Sequence, residues 1–243
     1  DVVVAATLAD SLSPGIARGR PLRLISGLAV DTKFIERHAA LLTRLLDERY
    51  AGAASEQGLH DFLDAPADKD HWLLVAPLEP GLLPFWRQRL TTQELAKTRL
   101  PGSRVLVVEN EQCLHLLPKL PGTVAILGAG LDLQWLGADT FIDKKVAYWG
   151  DMDTWGLLML ARARLSCLAL SPLMMSRSWF ERFAAQRAVP EPVPAELPSE
   201  GLDEEDVAFF RFLLTQEKGR LEQEYLPADV VQDALFRWLE ISA

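Results

Sequence analysis

The sequence predicts an α/β fold in which a mainly parallel sheet is flanked by helices. The first observation is that short apolar runs at residues 105–108, 123–127 and 145–149 are separated by segments of helical character. The second is that another apolar run, at residues 167–170, follows a helical segment at residues 154–164. Strands that alternate with helices pair mainly in parallel and carry those helices on the faces of the sheet.

Further elements are predicted around this core from periodicity, capping residues and prolines. In chain order they are a short strand at residues 22–29, a helix from Asp31 or Thr32 to about Arg49, a polar loop at 51–70, a buried strand at 72–76 ended by Pro77, short helices at 111–117 and 131–136, and C-terminal helices at 204–214 and 227–239.

Composition divides the chain into five segments. They are a loosely held lead-in at residues 1–20, an N-terminal α/β portion at 21–100, the core of the fold at 101–187, a proline-rich linker or surface loop at 188–203, and a C-terminal helical segment at 204–243. The first residue is Asp1 rather than Met, which favours a piece cut from a longer protein.

The composition is that of an ordinary globular protein. The 243 residues are 49% hydrophobic and 24% charged. No apolar run reaches the roughly 20 residues that span a bilayer, so a membrane protein is not expected. The two cysteines, Cys113 and Cys167, lie in apolar surroundings and are expected to be buried thiols in a reducing cytosol.

The net charge of −9 argues against a protein that coats DNA by neutralising phosphates. It is compatible with a metal-dependent nuclease, because such enzymes use carboxylates to hold their ions and partner subunits can supply the grip on DNA.

Three predicted strands end in residues suited to chemistry. The first ends at Glu109, the second in the glycine turn at residues 128–130, and the third in Asp151 and Asp153. Ligands bind beyond the carboxyl ends of parallel strands, so these residues are expected at one edge of the sheet. Two carboxylates at positions i and i+2 can share a hard cation such as Mg²⁺, and Glu109 can add a ligand or move a proton.

A structural alternative explains the same spacing. An aspartate directly after a strand is often a helix cap that accepts backbone N–H groups, and either Asp151 or Asp153 fits that role. Spacing alone leaves the cap and the metal site open.

The residues also resemble a known family. Residues 107–110 (VVEN) and 148–156 (YWGDMDTWG) resemble the Toprim domain of the Wadjet nuclease subunit JetD, whose family includes the Toprim subunits that accompany MksB-type condensins. Residues 30–38 are similar to its N-terminal signature, residues 220–224 (RLEQE) to its C-terminal one, and residues 128–130 fall at its glycine turn. The resemblance covers about residues 20–240.

The resemblance implies a Toprim, Rossmann-like fold related to the A subunit of topoisomerase VI. It implies a divalent-metal endonuclease, using Mg²⁺ or Mn²⁺, that cuts double-stranded plasmid DNA within an SMC–kleisin defence complex. Glu109, Asp151 and Asp153 would be the catalytic and metal-binding residues. A homodimer in the bacterial cytoplasm, associated with the nucleoid, is also implied. Full-length members carry a further N-terminal arm that this chain is expected to lack.

The sequence departs from the family pattern at two positions. Trp155 stands where the family usually has His, and Met175 stands where it often has Asp. These departures leave the three carboxylates intact but put in doubt a neighbouring His and a fourth acidic ligand. They motivate a second hypothesis, a non-catalytic Toprim-fold subunit that docks on an SMC complex or dimerises.

Other candidate residues each have two interpretations. Glu222 and Glu224 could complete a second metal position or form salt bridges with Arg220. A phosphate track could be formed by Arg87, Arg89, Arg99 and their basic neighbours Lys97 and Arg104, with Lys33 as a further DNA contact, although charge runs are usually solvated faces. His115 is expected to be partly buried, and the tryptophans at positions 72, 86, 135 and 149 are expected to be core or interface anchors. A stand-alone nucleotide-binding protein has little support, because the glycine turn is too short for a phosphate-binding motif.

Overall fold

The computed structural model describes residues 1–20, 22, 32–65, 71–130 and 132–241. Most of the predicted strand at 22–29, and Asp31, lie outside the described residues. The chain divides into two compact units, Asp1–Asp70 and His71–Ala243. None of the described helices is long and apolar enough to cross a membrane.

The described part of the first unit is helical. Its helices are α1 (Val2–Ser11), α2 (Thr32–Arg37), α3 (Ala39–Tyr50), α4 (Ala53–Gln57) and α5 (Leu59–Phe62). Leu8, Leu12, Leu42 and Leu46 pack in one apolar cluster of this unit. The prediction of a loosely held lead-in was wrong, because the apolar face of α1 is buried in this cluster. The predicted polar loop at 51–70 was also wrong over its described part, residues 51–65, because α4 and α5 each bury apolar residues.

The second unit is built on a six-stranded mixed sheet in the order β2-β1-β4-β3-β5-β6. Its elements are β1 (Trp72–Pro77), β2 (Gln88–Thr91), α6 (Thr92–Lys97), β3 (Arg104–Val108), β4 (Thr123–Leu127), β5 (Lys145–Trp149), α7 (Thr154–Ser166), β6 (Ser171–Pro172), α8 (Arg177–Arg187), α9 (Glu204–Leu214) and α10 (Ala228–Ile241). The predicted α/β fold with a mainly parallel sheet is confirmed, since β3 pairs in parallel with both β4 and β5, and β5 with β6.

Several short elements differ from their predictions. The segments predicted as helices at 111–117 and 131–136 contain 3₁₀ turns at Glu111–Leu116 and Gln134–Gly137. Residues 167–170 do not form a strand, because Cys167 ends α7 and Leu170 N donates to Cys167 O in a turn. Three elements were not predicted from the sequence: β2, α6 and α8. β2 and α6 meet at a capping box formed by Thr91 and Glu94.

The strand order creates a crevice between β3 and β5. The chain passes from β3 to β4 on one side of β3, then crosses to β5 on the other side and continues outward to β6. The three central strands are almost entirely buried. In open α/β sheets such a reversal of strand order leaves space at the carboxyl ends of the two strands that flank it. Glu109 follows β3 and Asp151 follows β5, so both lie at this crevice.

Candidate functional site

Glu109 is held against the turn that follows β5. Its backbone N–H donates to Trp149 O at 3.0 Å, and its Oε2 accepts from Asp151 N at 3.2 Å and from the Tyr148 hydroxyl at 3.4 Å. A Cβ on Gly150 would lie 2.6 Å from Glu109 Oε2, so a larger residue at this position would displace the carboxylate. Burial, together with the negative charges of Asp151 and Asp153, raises the pKa of Glu109 to about 8.

Asp151 joins the end of β5 to the C-terminal motif at residues 220–224. Its Oδ1 accepts from Gln223 N at 2.9 Å, and its Oδ2 lies 3.3 Å from Arg220 Nη2. Burial raises the pKa of Asp151, the bond from Gln223 N opposes that rise, and the net pKa is about 6. A Cβ on Gly156 would lie 2.0 Å from Asp151 O, so the helix that follows can approach this residue only through a glycine.

Asp153 is the N-cap of α7. Its Oδ1 accepts from Gly156 N at 2.6 Å, and the residue is only 4% exposed. The cap interpretation is therefore confirmed for this aspartate. Its Oδ2 is not part of the cap and lies 3.4 Å from Arg220 Nε. Burial raises the pKa of Asp153, and the bond from Gly156 N partly offsets that effect.

Arg220 lies among the carboxylates. Besides Asp151 and Asp153, its Nη2 lies 3.3 Å from Glu222 Oε1. Burial lowers the pKa of Arg220, but the three carboxylates raise it above its ordinary value. The predicted salt-bridge role of Glu222 with Arg220 is confirmed.

Glu224 contacts a different residue from the one that Glu222 contacts. Its carboxylate accepts a short hydrogen bond from Asn110 Nδ2, next to the end of β3. Its negative charge also contributes to the raised pKa of Asp151. Glu222 and Glu224 thus both border the site, on separate partners.

Gln223, between these two acids, is a site residue that sequence reasoning missed. It is fully buried. Its side-chain Nε2 donates to Trp149 O at 2.9 Å, and its Oε1 accepts from Asn110 N at 2.7 Å. One amide therefore ties the end of β3 to the end of β5. The only signal in the sequence was a glutamine inside a motif whose acids attract attention first.

The proline-rich segment is docked at the start of α7, where Glu191 is a second residue that the sequence did not reveal. Glu191 accepts from Thr154 Oγ1 at 2.6 Å and from Thr154 N at 3.2 Å. Trp155 Nε1 donates to Val193 O at 2.8 Å. Trp155, one of the two departures from the family pattern, therefore anchors this segment. Met175, the other, is buried, and its sulfur accepts from Gly150 N at 3.2 Å.

A polar cleft of about 580 Å³ opens beside these carboxylates. Glu109, Asp151 and Arg220 line it together with Arg89, Glu111 and the glycine turn. Arg89 Nη2 lies 2.7 Å from Glu111 Oε2, so one predicted DNA contact borders the site with a carboxylate partner.

The other predicted DNA contacts are separate from the cleft lining. Arg87 and Arg99 are exposed. The charge of Arg99 adds to the effect of burial in lowering the pKa of Lys144, next to the start of β5 and so at the opposite edge of the sheet from the carboxylates. Lys33 belongs to the first unit, and its side chain lies outside the described residues. Of the predicted basic residues in the second unit, Arg89 therefore borders the cleft, whereas Arg99 lies towards the opposite edge of the sheet.

His115 and the four tryptophans considered in the sequence analysis differ in whether their exposure matches the prediction. His115 was predicted to be partly buried but is exposed, because the 3₁₀ turn points it outward, where Nδ1 contacts Gln112 O. Trp135 and Trp149 are buried as predicted, whereas Trp72 and Trp86 are 51% and 82% exposed.

The site fits a hard divalent cation in chemical type and in charge. Its donors are carboxylate oxygens, and their pKa values are raised first by burial and then by the negative charges of the neighbouring acids, which a bound cation would offset. The spacing is not that of a ready site, since among the described residues no group of three or more His, Cys, Asp or Glu side chains is arranged to hold a metal ion. Asp151 and Asp153, with Glu109 beside them, would have to close around a cation.

Two family matches cover most of the chain. Residues 1–47 match a family described as an uncharacterised protein conserved in bacteria, N-terminal. No curated protein matches the sequence. Residues 58–235 match the family described as Wadjet protein JetD, C-terminal, and this range contains the carboxylates, Arg220 and Gln223. Because that match spans well over half of the sequence, the chain belongs to the Wadjet JetD family.

Proposed function

We propose that the chain is the nuclease domain of a Wadjet-type defence complex and cuts double-stranded DNA with the help of Mg²⁺ or Mn²⁺. The observation that carries the proposal is the set of carboxylates at the crevice between β3 and β5, where Asp153 is buried and Glu109 and Asp151 are half-buried. Burying so many negative charges is costly unless cations compensate them. A site that retains them has a use for them, and metal-assisted phosphodiester cleavage is the chemistry that fits.

Each carboxylate has a role in this proposal. Asp151 and Asp153 would hold the cation through the oxygens that are not already bonded to backbone N–H groups. A bound divalent cation supplies charge for the phosphodiester oxygens and lowers the pKa of a water molecule. Glu109, whose pKa is raised to about 8 by burial, can hold or release a proton near neutral pH.

The proposed substrate and partners follow from the family and from charge. With a net charge of −9, the chain has no excess of basic residues to grip DNA by itself. We therefore expect SMC–kleisin subunits to deliver plasmid DNA, with Arg89 as a phosphate contact at the cleft and Arg87, Arg99 and Lys33 as further DNA contacts. A homodimer would place two such sites on opposite strands. Glu222 and Glu224 would border a second metal position.

A second function has its own support. Arg220 already neutralises part of the carboxylate charge, and the residues at both departures from the family pattern form structural contacts. These features would suit a non-catalytic subunit that keeps the fold for docking or dimerisation.

Plasmid cleavage by the assembled complex distinguishes the two functions. Asp151→Asn removes a charge but keeps the shape of the side chain, and Asp153→Asn does the same while retaining a residue that caps helices well. We expect either change to lower Mn²⁺-dependent cleavage by at least about a hundredfold, in line with the loss of a metal ligand or its support. Arg237→Gln, on the exposed face of α10, is the control. Unchanged cleavage by both aspartate variants would refute the nuclease proposal and favour the docking role.

A further inference from the structure

Arg220 contacts the two carboxylate oxygens that a cation would need. Asp151 uses Oδ1 to accept from Gln223 N, and Asp153 uses Oδ1 to cap α7. The second oxygen of each residue, Oδ2, lies 3.3 or 3.4 Å from the guanidinium of Arg220. The guanidinium and a metal ion on these aspartates would therefore compete for the same two atoms.

The charge balance at Arg220 favours a replacement by a divalent ion. One positive charge faces Asp151, Asp153 and Glu222, and Glu109 lies beside Asp151. The three carboxylates that contact the guanidinium carry three negative charges against its one positive charge, and in a partly buried site this imbalance is costly. A small ion of charge +2 at the two Oδ2 atoms would offset more of it.

The side chain of Arg220 can leave without disturbing the fold. It is 35% exposed, whereas the carboxylates of Asp151 and Asp153 are 13% and 5% exposed. The backbone of Arg220 is held separately, since its N donates to Val189 O at 3.1 Å and its O accepts from Val189 N at 2.8 Å. Only the long side chain has to rotate.

We propose that the guanidinium of Arg220 occupies the cation position in the metal-free protein and that a divalent cation binds by displacing it. Arg220 is then a competitor for the metal rather than a ligand of DNA or a simple structural salt bridge. The apparent metal affinity is then the intrinsic affinity of the site multiplied by the fraction of molecules in which Arg220 has moved away. The inference rests on the proposed metal site at Asp151 and Asp153.

The test compares Mn²⁺ binding to the full chain and its variants by isothermal titration calorimetry. If about nine-tenths of the protein keeps Arg220 in place, Arg220→Gln is expected to bind Mn²⁺ about tenfold more tightly than the wild type. Arg220→Lys keeps the positive charge but cannot span three carboxylates, so its affinity should lie between the two. Arg89→Gln is the matched control, because it removes one positive charge from the same cleft without touching Asp151 or Asp153. We expect it to stay within about twofold of wild type, since exposed charges act weakly on the site.

Thermal unfolding gives a second readout that does not depend on calorimetry. Without metal, Arg220→Gln should unfold at a lower temperature than wild type, because three carboxylates lose their counter-ion. Added Mn²⁺ should raise the midpoint of Arg220→Gln by more than that of wild type.

The outcomes separate this inference from the proposed function. If wild type binds Mn²⁺ and Arg220→Gln binds it equally or less tightly, Arg220 is not a competitor, although the metal site stands. If Arg89→Gln gains as much Mn²⁺ affinity as Arg220→Gln, the gain comes from removing any nearby positive charge, and the displacement of Arg220 is refuted. If neither wild type nor Arg220→Gln binds Mn²⁺, the metal site and the displacement both fail.

Discussion

The protonation of Glu109 makes a prediction that requires no metal and no DNA. Its pKa rises from 4.5 to about 8 in the folded chain, mainly because the carboxyl group is buried. Between these two pH values the folded chain retains a proton that the unfolded chain releases. Stability from this group is therefore fully present below about pH 4.5 and is lost as the pH rises towards about 8.

The magnitude follows from the same two pKa values. From about pH 5 to about pH 8 the wild type should lose about 3 kcal/mol of unfolding free energy through Glu109. Glu109→Gln mimics the protonated acid and lacks this loss. Relative to wild type, the variant should therefore gain about 3 kcal/mol over that pH range.

The assay is urea unfolding followed by tryptophan fluorescence at the two pH values in a chelating buffer. All seven tryptophans belong to the unit that starts at His71, so the signal reports the unit that contains the site. Glu111→Gln makes the same chemical change at a neighbouring carboxylate that pairs with Arg89, and it controls for general charge effects. If the difference between Glu109→Gln and wild type stays constant within about 0.5 kcal/mol from pH 5 to pH 8, Glu109 does not hold a proton in the fold, and the reasoning from burial is wrong.

Substitutions at three further residues test the contacts that surround the carboxylates. Gly156→Ala places a Cβ 2.0 Å from Asp151 O, so we expect a large loss of thermal stability and of any Mn²⁺ binding. Gln223→Ala removes side-chain bonds to Trp149 O and Asn110 N, and should cost about 2 kcal/mol of unfolding free energy in the same urea assay. Asp153→Ala should cost about 1 kcal/mol through loss of the cap on α7, whereas Asp153→Asn should cost less than half of that, and equal losses would contradict the cap.

Much of the central sheet could be predicted because its signals are local. Val105–Val108 and the runs at 123–127 and 145–149 are apolar and bounded by polar or glycine residues, and all three form buried strands. The predictions failed for shorter elements, because tertiary packing decides the conformation of those segments. Residues 167–170 are as apolar as a strand, yet they form the turn that ends α7, and Leu168 is 91% exposed.

The positions of the carboxylates could be predicted from the sequence, but their hydrogen-bond and ion-pair partners could not. Strand ends followed by Glu109, Asp151 and Asp153 indicated one edge of the sheet, and the structure brings them together there. Spacing offered the cap on α7, which Asp153 forms with Gly156 three residues further on, but it did not decide between Asp151 and Asp153 for that role. It could not show that Arg220 lies between the aspartates, because those contacts join residues about 70 positions apart in the chain and no local pattern encodes them.

The sequence by itself determined the three central strands and the identity of the acids at the strand ends, since periodicity and residue type are local properties. Only the tertiary structure decided which oxygen of each acid is already bonded and which one faces a cation. It did so by bringing Arg220 and Gln223 from the far end of the chain to the crevice between β3 and β5. The free energy of a buried carboxylate depends on such distant partners, because burial removes the water that would otherwise stabilise its charge.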